Sequence, residues 1–150
     1  MRAALLRDFF LGRVAGEELA RDLAGTTERV GFDSYRHHMT DLEEDFAVES
    51  AHLVRLCDAV LAGAIPAEAL ADVGFGMIAS DHFLWDTDSP DGEIVGNTLY
   101  DWSSAEINFP LNAATVAKFR LRLLTGEDTF TREDGRARPK PRRVTWKSRR

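Results

Sequence analysis

Apolar residues recur at helical spacing along most of the chain, in six segments separated by glycine, proline or other turn-forming residues. The clearest segment is 53–61, where apolar positions follow an i, i+3, i+4, i+7, i+8 pattern up to Leu61 and Gly63 comes soon after. The same spacing predicts helices over 3–11, 16–24, a segment beginning near Pro66, 94–102 and 112–124. About six amphipathic helices joined by short breaks are typical of an all-α, single-domain bundle.

The inward-facing positions of these helices predict one shared hydrophobic core. We expect the following residues to be buried together: Leu53, Leu56, Cys57, Val60, Ile78, Val95, Leu99, Trp102, Phe119 and Leu123. Cys57 is the single cysteine and lies on an apolar helical face, which indicates a core thiol rather than a nucleophile. Between residues 26 and 48 the pattern is weak, and a short strand and an irregular crossing segment both remain open.

Charge divides the chain into an acidic body and a basic tail. Residues 132–150 hold nine Lys and Arg against Glu133 and Asp134, a net charge of +7. Because the whole chain carries −6, residues 1–131 carry −13. We therefore expect an acidic helical domain over 1–131 and a disordered basic tail without a core over 132–150.

Nothing in the sequence indicates a membrane protein or a secreted one. The chain has no run of about 18 apolar residues, the length that a membrane-spanning helix needs. Charges at Arg7 and Asp8 interrupt the first apolar segment too early for a secretory signal, and one cysteine allows no disulfide framework within the chain. We expect a cytoplasmic protein with no membrane partner.

Acidic residues concentrate in two blocks, 41–49 and 81–106, and the second block contains no Lys or Arg. A surface of one sign steers a partner of the opposite sign. Trp85, beside the second block, is either a core residue or an interface anchor. The predicted partner-binding residues are Asp41, Glu43, Glu44, Asp45, Trp85, Asp86, Asp88, Asp91 and Glu93.

Candidate catalytic and metal-binding patterns are incomplete. Glu49 and His52 form a Glu-x-x-His pair, but a di-iron bundle needs two such pairs and two further glutamates. A zinc site at His37, His38 and His52 lacks any supporting ligand motif. The 86–97 segment has proline and asparagine where a calcium loop needs other residues. Adjacent helical positions such as Asp81 and His82 point about 100° apart, so they do not converge readily as an acid/base pair. We expect no catalytic residue, metal or cofactor.

The tail combines positive charge with one large aromatic residue. Its notable residues are Arg142, Arg143, Trp146 and Lys147. Such a segment can bind nucleic acid through charge and stacking, fold back on its own acidic body, or have no role. These three alternatives stay open.

Parts of the chain resemble two groups of bacterial proteins. The segments 52–61, 78–86 and 101–111 resemble a family of small uncharacterised bacterial cytoplasmic proteins, which implies no particular site. The segment 8–19 (DFFLGRVAGEEL) is similar to small acidic immunity-like proteins of bacterial toxin systems. That second resemblance implies an acidic helical domain that blocks a basic toxin domain.

The sequence thus favours a non-enzymatic, acidic helical protein that captures a basic protein partner, immunity-like toward a toxin domain. A small metal-dependent or acid/base enzyme, acting through Glu49 and His52 or Asp81 and His82, is the first alternative. A nucleic-acid-associated protein acting through the basic tail is the second.

Overall fold

The computed structural model describes residues 1–30 and 35–136. This part of the chain contains seven helices and four short strands. The helices are α1 (Ala3–Phe10), α2 (Gly16–Leu23), α3 (Ser50–Leu61), α4 (Ala69–Ala79), α5 (Pro90–Ser103), α6 (Ala113–Thr125) and α7 (Arg132–Arg136). The strands are β1 (Thr27–Arg29), β2 (Tyr35–His37), β3 (Phe46–Ala47) and β4 (Phe83–Leu84). The prediction of a mostly helical protein is confirmed, but the fold is not strictly all-α.

Local signals at the helix ends explain where α5 and α6 begin, and α5 begins at Pro90, four residues before the start predicted from the apolar spacing. Ser89 caps α5 by accepting a hydrogen bond from Gly92 N, and Pro90 occupies the first turn, where its missing N–H costs nothing. Asn112 and Thr115 form a reciprocal capping box at the start of α6. Gly126 ends α6 in the left-handed region at φ 76°, which favours glycine.

The core lies between two closely packed helix pairs, α4 with α5 and α3 with α6. Gly74 allows α4 to approach α5 closely, since a Cβ there would lie 2.8 Å from Leu99 O. Trp102 and Phe119 are fully buried at the centre, with their rings in an edge-to-face arrangement and their centroids 6.1 Å apart.

The predicted core residues are buried with one exception, Ile78, which is half-buried and packs against the core. Leu61, the last position of the clearest helical pattern, is 42% exposed. It lies in the last turn of α3, where no described element covers it fully.

The stretch 26–48, which the sequence left undecided, contains three strands in its described residues, and they belong to two separate pairs. β1 and β2 form an antiparallel pair, while β3 pairs in parallel with β4, with Phe46 opposite Phe83 and Ala47 opposite Leu84. Strands of two or three residues are too short to show alternation, which is why the hydrophobic pattern could not reveal them.

The packed part of the chain extends beyond the predicted boundary at residue 131. Phe130 stacks on Phe109 at 4.3 Å between centroids, and Lys118 Nζ lies 2.7 Å from a carboxylate oxygen of Asp134. The first five residues of the predicted tail form α7. Residues 137–150, which include the four notable residues of the tail (Arg142, Arg143, Trp146 and Lys147), lie outside the described residues.

None of the helices in residues 1–30 and 35–136 is long and apolar enough to cross a membrane.

Trp102 provides a test of this core. Replacing it with alanine removes a fully buried indole and leaves a cavity, so we expect the free energy of unfolding to fall by about 3–5 kcal/mol. Tyr100→Ala on the same helix is the control: Tyr100 is 58% exposed, and its loss should change stability by less than about 0.5 kcal/mol. Urea unfolding measures both, and equal stabilities would contradict the position given to Trp102.

Candidate functional site

The parallel pairing of β3 with β4 joins the two acidic blocks of the sequence into one surface. Phe46 N donates to His82 O and Val48 N donates to Leu84 O, each at 2.8 Å. Side chains add to this pairing, because His82 Nδ1 lies 2.9 Å from Asp45 Oδ1. The acidic surface, as the term is used below, consists of Asp41, Glu43, Glu44, Asp45, Glu49, Asp81, Asp86, Asp88, Asp91 and Glu93.

A pocket of about 550 Å³ opens within the acidic surface, between β3, β4 and the start of α5. Its apolar lining includes Leu84, which is 48% exposed, and Trp85. Trp85 is half-buried: its indole lies over Gly96 and packs against the core while part of it lines the pocket. Trp85 therefore contributes both to the core and to the wall of the pocket, and the pocket offers apolar contact in an acidic setting.

Besides Asp45, which pairs with His82, three of the predicted partner-binding carboxylates are engaged in holding the fold. Asp91 accepts hydrogen bonds from Ser50 N at 3.1 Å and from the Ser50 hydroxyl at 2.5 Å, and so caps the first turn of α3. Asp86 accepts from Asp88 N at 2.9 Å in the turn that leads into α5. A partner that needed these oxygens would have to break these contacts.

Asp41 is the third of these carboxylates. It accepts hydrogen bonds from the Ser80 hydroxyl, from Asp81 N at 3.0 Å and from Leu42 N at 2.8 Å. Burial raises the pKa of Asp41, but these hydrogen bonds outweigh burial and hold that pKa below its ordinary value. Asp41 thus ties the loop before β3 to the end of α4.

Four of the predicted partner-binding carboxylates remain unengaged. Within residues 1–30 and 35–136, no hydrogen bond or ion pair is made by the side chains of Glu43, Glu44, Asp88 and Glu93, and all four are exposed. These four carboxylates and the two apolar residues of the pocket are the groups best placed to contact a partner. Leu84 was not predicted, because a single exposed leucine has no sequence signal.

The Glu-x-x-His pair is a helix cap. His52 Nδ1 accepts a hydrogen bond from Glu49 N at 2.9 Å, in a reciprocal capping box at the start of α3. The imidazole lies against Phe10 and Phe46, with centroids 5.3 and 5.0 Å apart. Burial lowers the pKa of His52; Arg55 lowers it further, whereas Glu49 and Asp91 oppose the change. A neutral His52 keeps the lone pair that the cap requires.

Asp81 and His82 follow the end of α4, and the described hydrogen bond of the His82 ring is to Asp45. The His82 ring pairs with Asp45, and that hydrogen bond, with the nearby charges of Asp41, Asp45 and Asp81, raises the pKa of His82 above its ordinary value. Among the described residues, no three His, Cys, Asp or Glu side chains are grouped to hold a metal ion. Burial raises the pKa of the Cys57 thiol to about 12, so this thiol is protonated at neutral pH.

The chain matches no known protein family, and no curated protein or solved structure is significantly similar to it. The resemblances to a bacterial cytoplasmic family and to immunity-like proteins therefore stay predictions.

The cap at His52 predicts a pH dependence of stability. Because the pKa of His52 is lower in the folded state than the ordinary 6.5, the unfolded chain binds the proton more readily, and stability decreases as pH falls below about 6.5. His52→Gln keeps a capping side chain without a titrating group. We expect the stability of this variant to decrease less between pH 7.5 and 5.5, as measured by urea unfolding.

The other histidines are the same in both proteins, so the difference between the two pH profiles isolates His52. An NMR titration of the histidine rings provides the independent check: the pKa of His52 should lie below 6.5 and that of His82 above it. Identical stability profiles for the two proteins would show that the cap does not depend on the neutral imidazole.

Proposed function

We propose that this chain is a non-enzymatic binding protein that captures a basic protein partner on its acidic surface. One observation carries the proposal: the β3–β4 pair joins two acidic blocks beside a pocket with exposed apolar lining, and four of the predicted partner-binding carboxylates are left unengaged. A functional reason is needed because like charges held together repel one another and destabilise the folded state.

Charge and apolar contact have separate roles in such a surface. Unengaged carboxylates steer a basic partner toward the surface and raise the association rate. Leu84 and Trp85 supply the desolvated contact that slows dissociation, since a few central aromatic and aliphatic residues carry most of the binding energy in protein interfaces. Lys and Arg side chains of the partner suit both parts, because their methylene stems cover apolar surface while their charged ends reach carboxylates.

The finer form of the proposal is an immunity-like role in the cytoplasm, in which the partner is a toxin domain with a basic active face. The net charge of −13 over residues 1–131 supports this form. Capture by the acidic surface would cover the positive groups with which such a domain holds its own anionic substrate.

The experiment measures association with a panel of purified, inactivated toxin domains, half with basic faces and half with acidic faces. Surface plasmon resonance at increasing NaCl concentration should show binding confined to basic domains, with an association rate that falls steeply with salt. Salt screens charges over about 8 Å at physiological ionic strength. The long-range attraction that speeds association is therefore lost at lower salt than the direct contacts of the complex. Binding that favours acidic domains, or that does not depend on salt, would contradict the proposal.

Charge reversal locates the binding surface. Two pairs of substitutions, Glu43→Lys with Glu44→Lys and Asp88→Lys with Glu93→Lys, should each reduce the association rate by about tenfold or more. Both pairs should retain the fold, because these side chains make no hydrogen bonds or ion pairs within the described residues. Asp91 is not substituted, since its loss would remove the cap of α3.

Glu17→Lys with Glu18→Lys is the matched control. It changes the net charge by the same amount, and like Glu93 these residues lie in the first turn of a helix. Gly16 at the start of α2 lies near Ala59 and Ala64, at the end of α3 opposite to the acidic surface. An equal loss of association rate in this pair would mean that net charge, and not the acidic surface, governs binding.

Removal of residues 137–150 distinguishes the tail from the body. The cut is placed after α7 because Phe130 and Asp134 are packed. We expect the truncated protein to unfold at the same urea concentration and to bind the basic partner at least as tightly as the full chain. If instead the full chain binds DNA or RNA and the truncated chain does not, with no basic protein partner found, the nucleic-acid alternative replaces this proposal.

A further inference from the structure

A second feature, separate from the acidic surface, centres on His37. Its Nδ1 lies 3.1 Å from the Thr27 hydroxyl oxygen, and the same hydroxyl donates to Asp72 Oδ1 at 2.5 Å. A carboxylate only accepts, and a hydroxyl has one proton, so Nδ1 must be the donor in its contact with Thr27. Nε2 of the neutral ring therefore carries a lone pair and no proton.

That lone pair is buried without a polar partner among the described residues. The groups around Nε2 explain why it has no partner. They include the side chains of two methionines, which lie against the backbone of Gly76. A Cβ at Gly76 would lie 3.5 Å from His37 Nε2 and 3.2 Å from Met39 Sδ, and it would collide with Met1 Cε. One imidazole nitrogen, the thioether sulfur of Met39 and the thioether methyl group of Met1 thus converge on a single position beside the α4 backbone.

Two common explanations for an unpaired nitrogen do not suit this place. A buried water molecule needs two to four polar partners, and thioether groups are poor ones. Protonation of Nε2 would leave a buried N–H without an acceptor. The neutral ring with a bare Nε2 is the favoured form.

We propose that His37 Nε2 and the thioether sulfurs of Met39 and Met1 form a binding site for a soft monovalent metal ion, Cu(I). Thioether and imidazole ligands together suit Cu(I), whereas hard cations take oxygen ligands and structural zinc takes thiolates or several imidazoles. Thr27 and Asp72 form the supporting contacts usual for a metal-binding histidine, whose second nitrogen donates a hydrogen bond that fixes the ring and its tautomer.

This proposal departs from our expectation of no metal, which considered only oxygen, imidazole and thiolate ligands. Met1 and Met39 are far apart in the sequence and form no motif. Backbone contacts bring them together: Met1 N donates to His38 O at 2.7 Å, and Thr40 N donates to Met1 O at 3.0 Å. The same contacts hold the first residue of the chain next to the end of β2.

The experiment uses the three methionines as internal probes. The full chain is labelled with ¹³C at the methionine methyl groups and titrated with Cu(I) under reducing, oxygen-free conditions, and with Ag(I) as a redox-stable substitute. We expect one equivalent of metal to shift the methyl signals of Met1 and Met39 and to leave that of Met77 unchanged, since Met77 is buried in the core. Because the thiol of Cys57 also binds these ions, the titration is repeated in a Cys57→Ala background.

Variants give the matched comparison. Met39→Leu conserves volume and removes one thioether, while Met77→Leu makes the same change away from the site. Thr27→Val removes the supporting hydroxyl and should weaken metal binding by about 10- to 100-fold. Competition with a Cu(I) chelator measures each affinity, and we expect Met39→Leu to lose at least as much affinity as Thr27→Val and Met77→Leu to match the parent.

The proposal is overturned if no stoichiometric binding remains in the Cys57→Ala background, if all three methionine signals shift alike, or if Met77→Leu weakens binding as much as Met39→Leu does. Urea unfolding of each metal-free variant confirms that it folds. Should Thr27→Val fail to fold, Asp72→Asn replaces it and tests the same supporting contact.

Discussion

The arrangement of the acidic surface depends on one short contact, the two-residue parallel pairing of β3 with β4. A pair this short has few backbone hydrogen bonds, so these bonds alone fix the register of the two strands weakly. A slip of one residue would exchange the buried and exposed faces. Rings beneath the pair supply the missing constraint. Phe46 and Phe83, opposite each other in the register, have centroids 6.1 Å apart, and Phe10 of α1 packs against both at 6.0 and 6.3 Å. The surface is therefore positioned by aromatic packing in the layer below it.

Local donors reduce the repulsion among the gathered carboxylates. Asp91 receives its hydrogen bonds from Ser50, Asp41 from the end of α4, and Asp45 pairs with His82. Each contact lets a carboxylate hold two segments together, so part of the negative charge strengthens the fold that presents it. The carboxylates without such donors remain as uncompensated negative charge. Hydrogen bonding thus distinguishes the carboxylates that hold the fold from those that stay free to contact a partner, a distinction that composition does not reveal.

Sequence reasoning predicted the helical framework because apolar periodicity and end signals such as Asn112 and Gly126 act locally. It also placed Trp102 and Phe119 in the core. Sequence reasoning failed where the residues that contact each other are far apart in the chain. The Glu49–His52 spacing is the same for a metal pair and a capping box, and only the position of the helix start decides between them. No local signal links residue 46 to residue 83, so the sequence could show two acidic blocks but not their union.

The strands are a small part of the chain, but they position the groups of both proposed sites. The helices form the packed framework that supports them. β3 and β4 join the two acidic blocks beside the pocket, and β2 places His37 against the side chains of Met1 and Met39 near α4. His52 links the framework to the surface, because its ring contacts Phe10 and Phe46 beneath the strand pair while its Nδ1 caps α3. Protonating this one ring would weaken the helix cap and charge a group in the supporting aromatic layer. Protonation of His82, whose pKa is raised by its hydrogen bond to Asp45, instead strengthens the contact between β3 and β4, so the two histidines act on the acidic surface in opposite directions as pH falls.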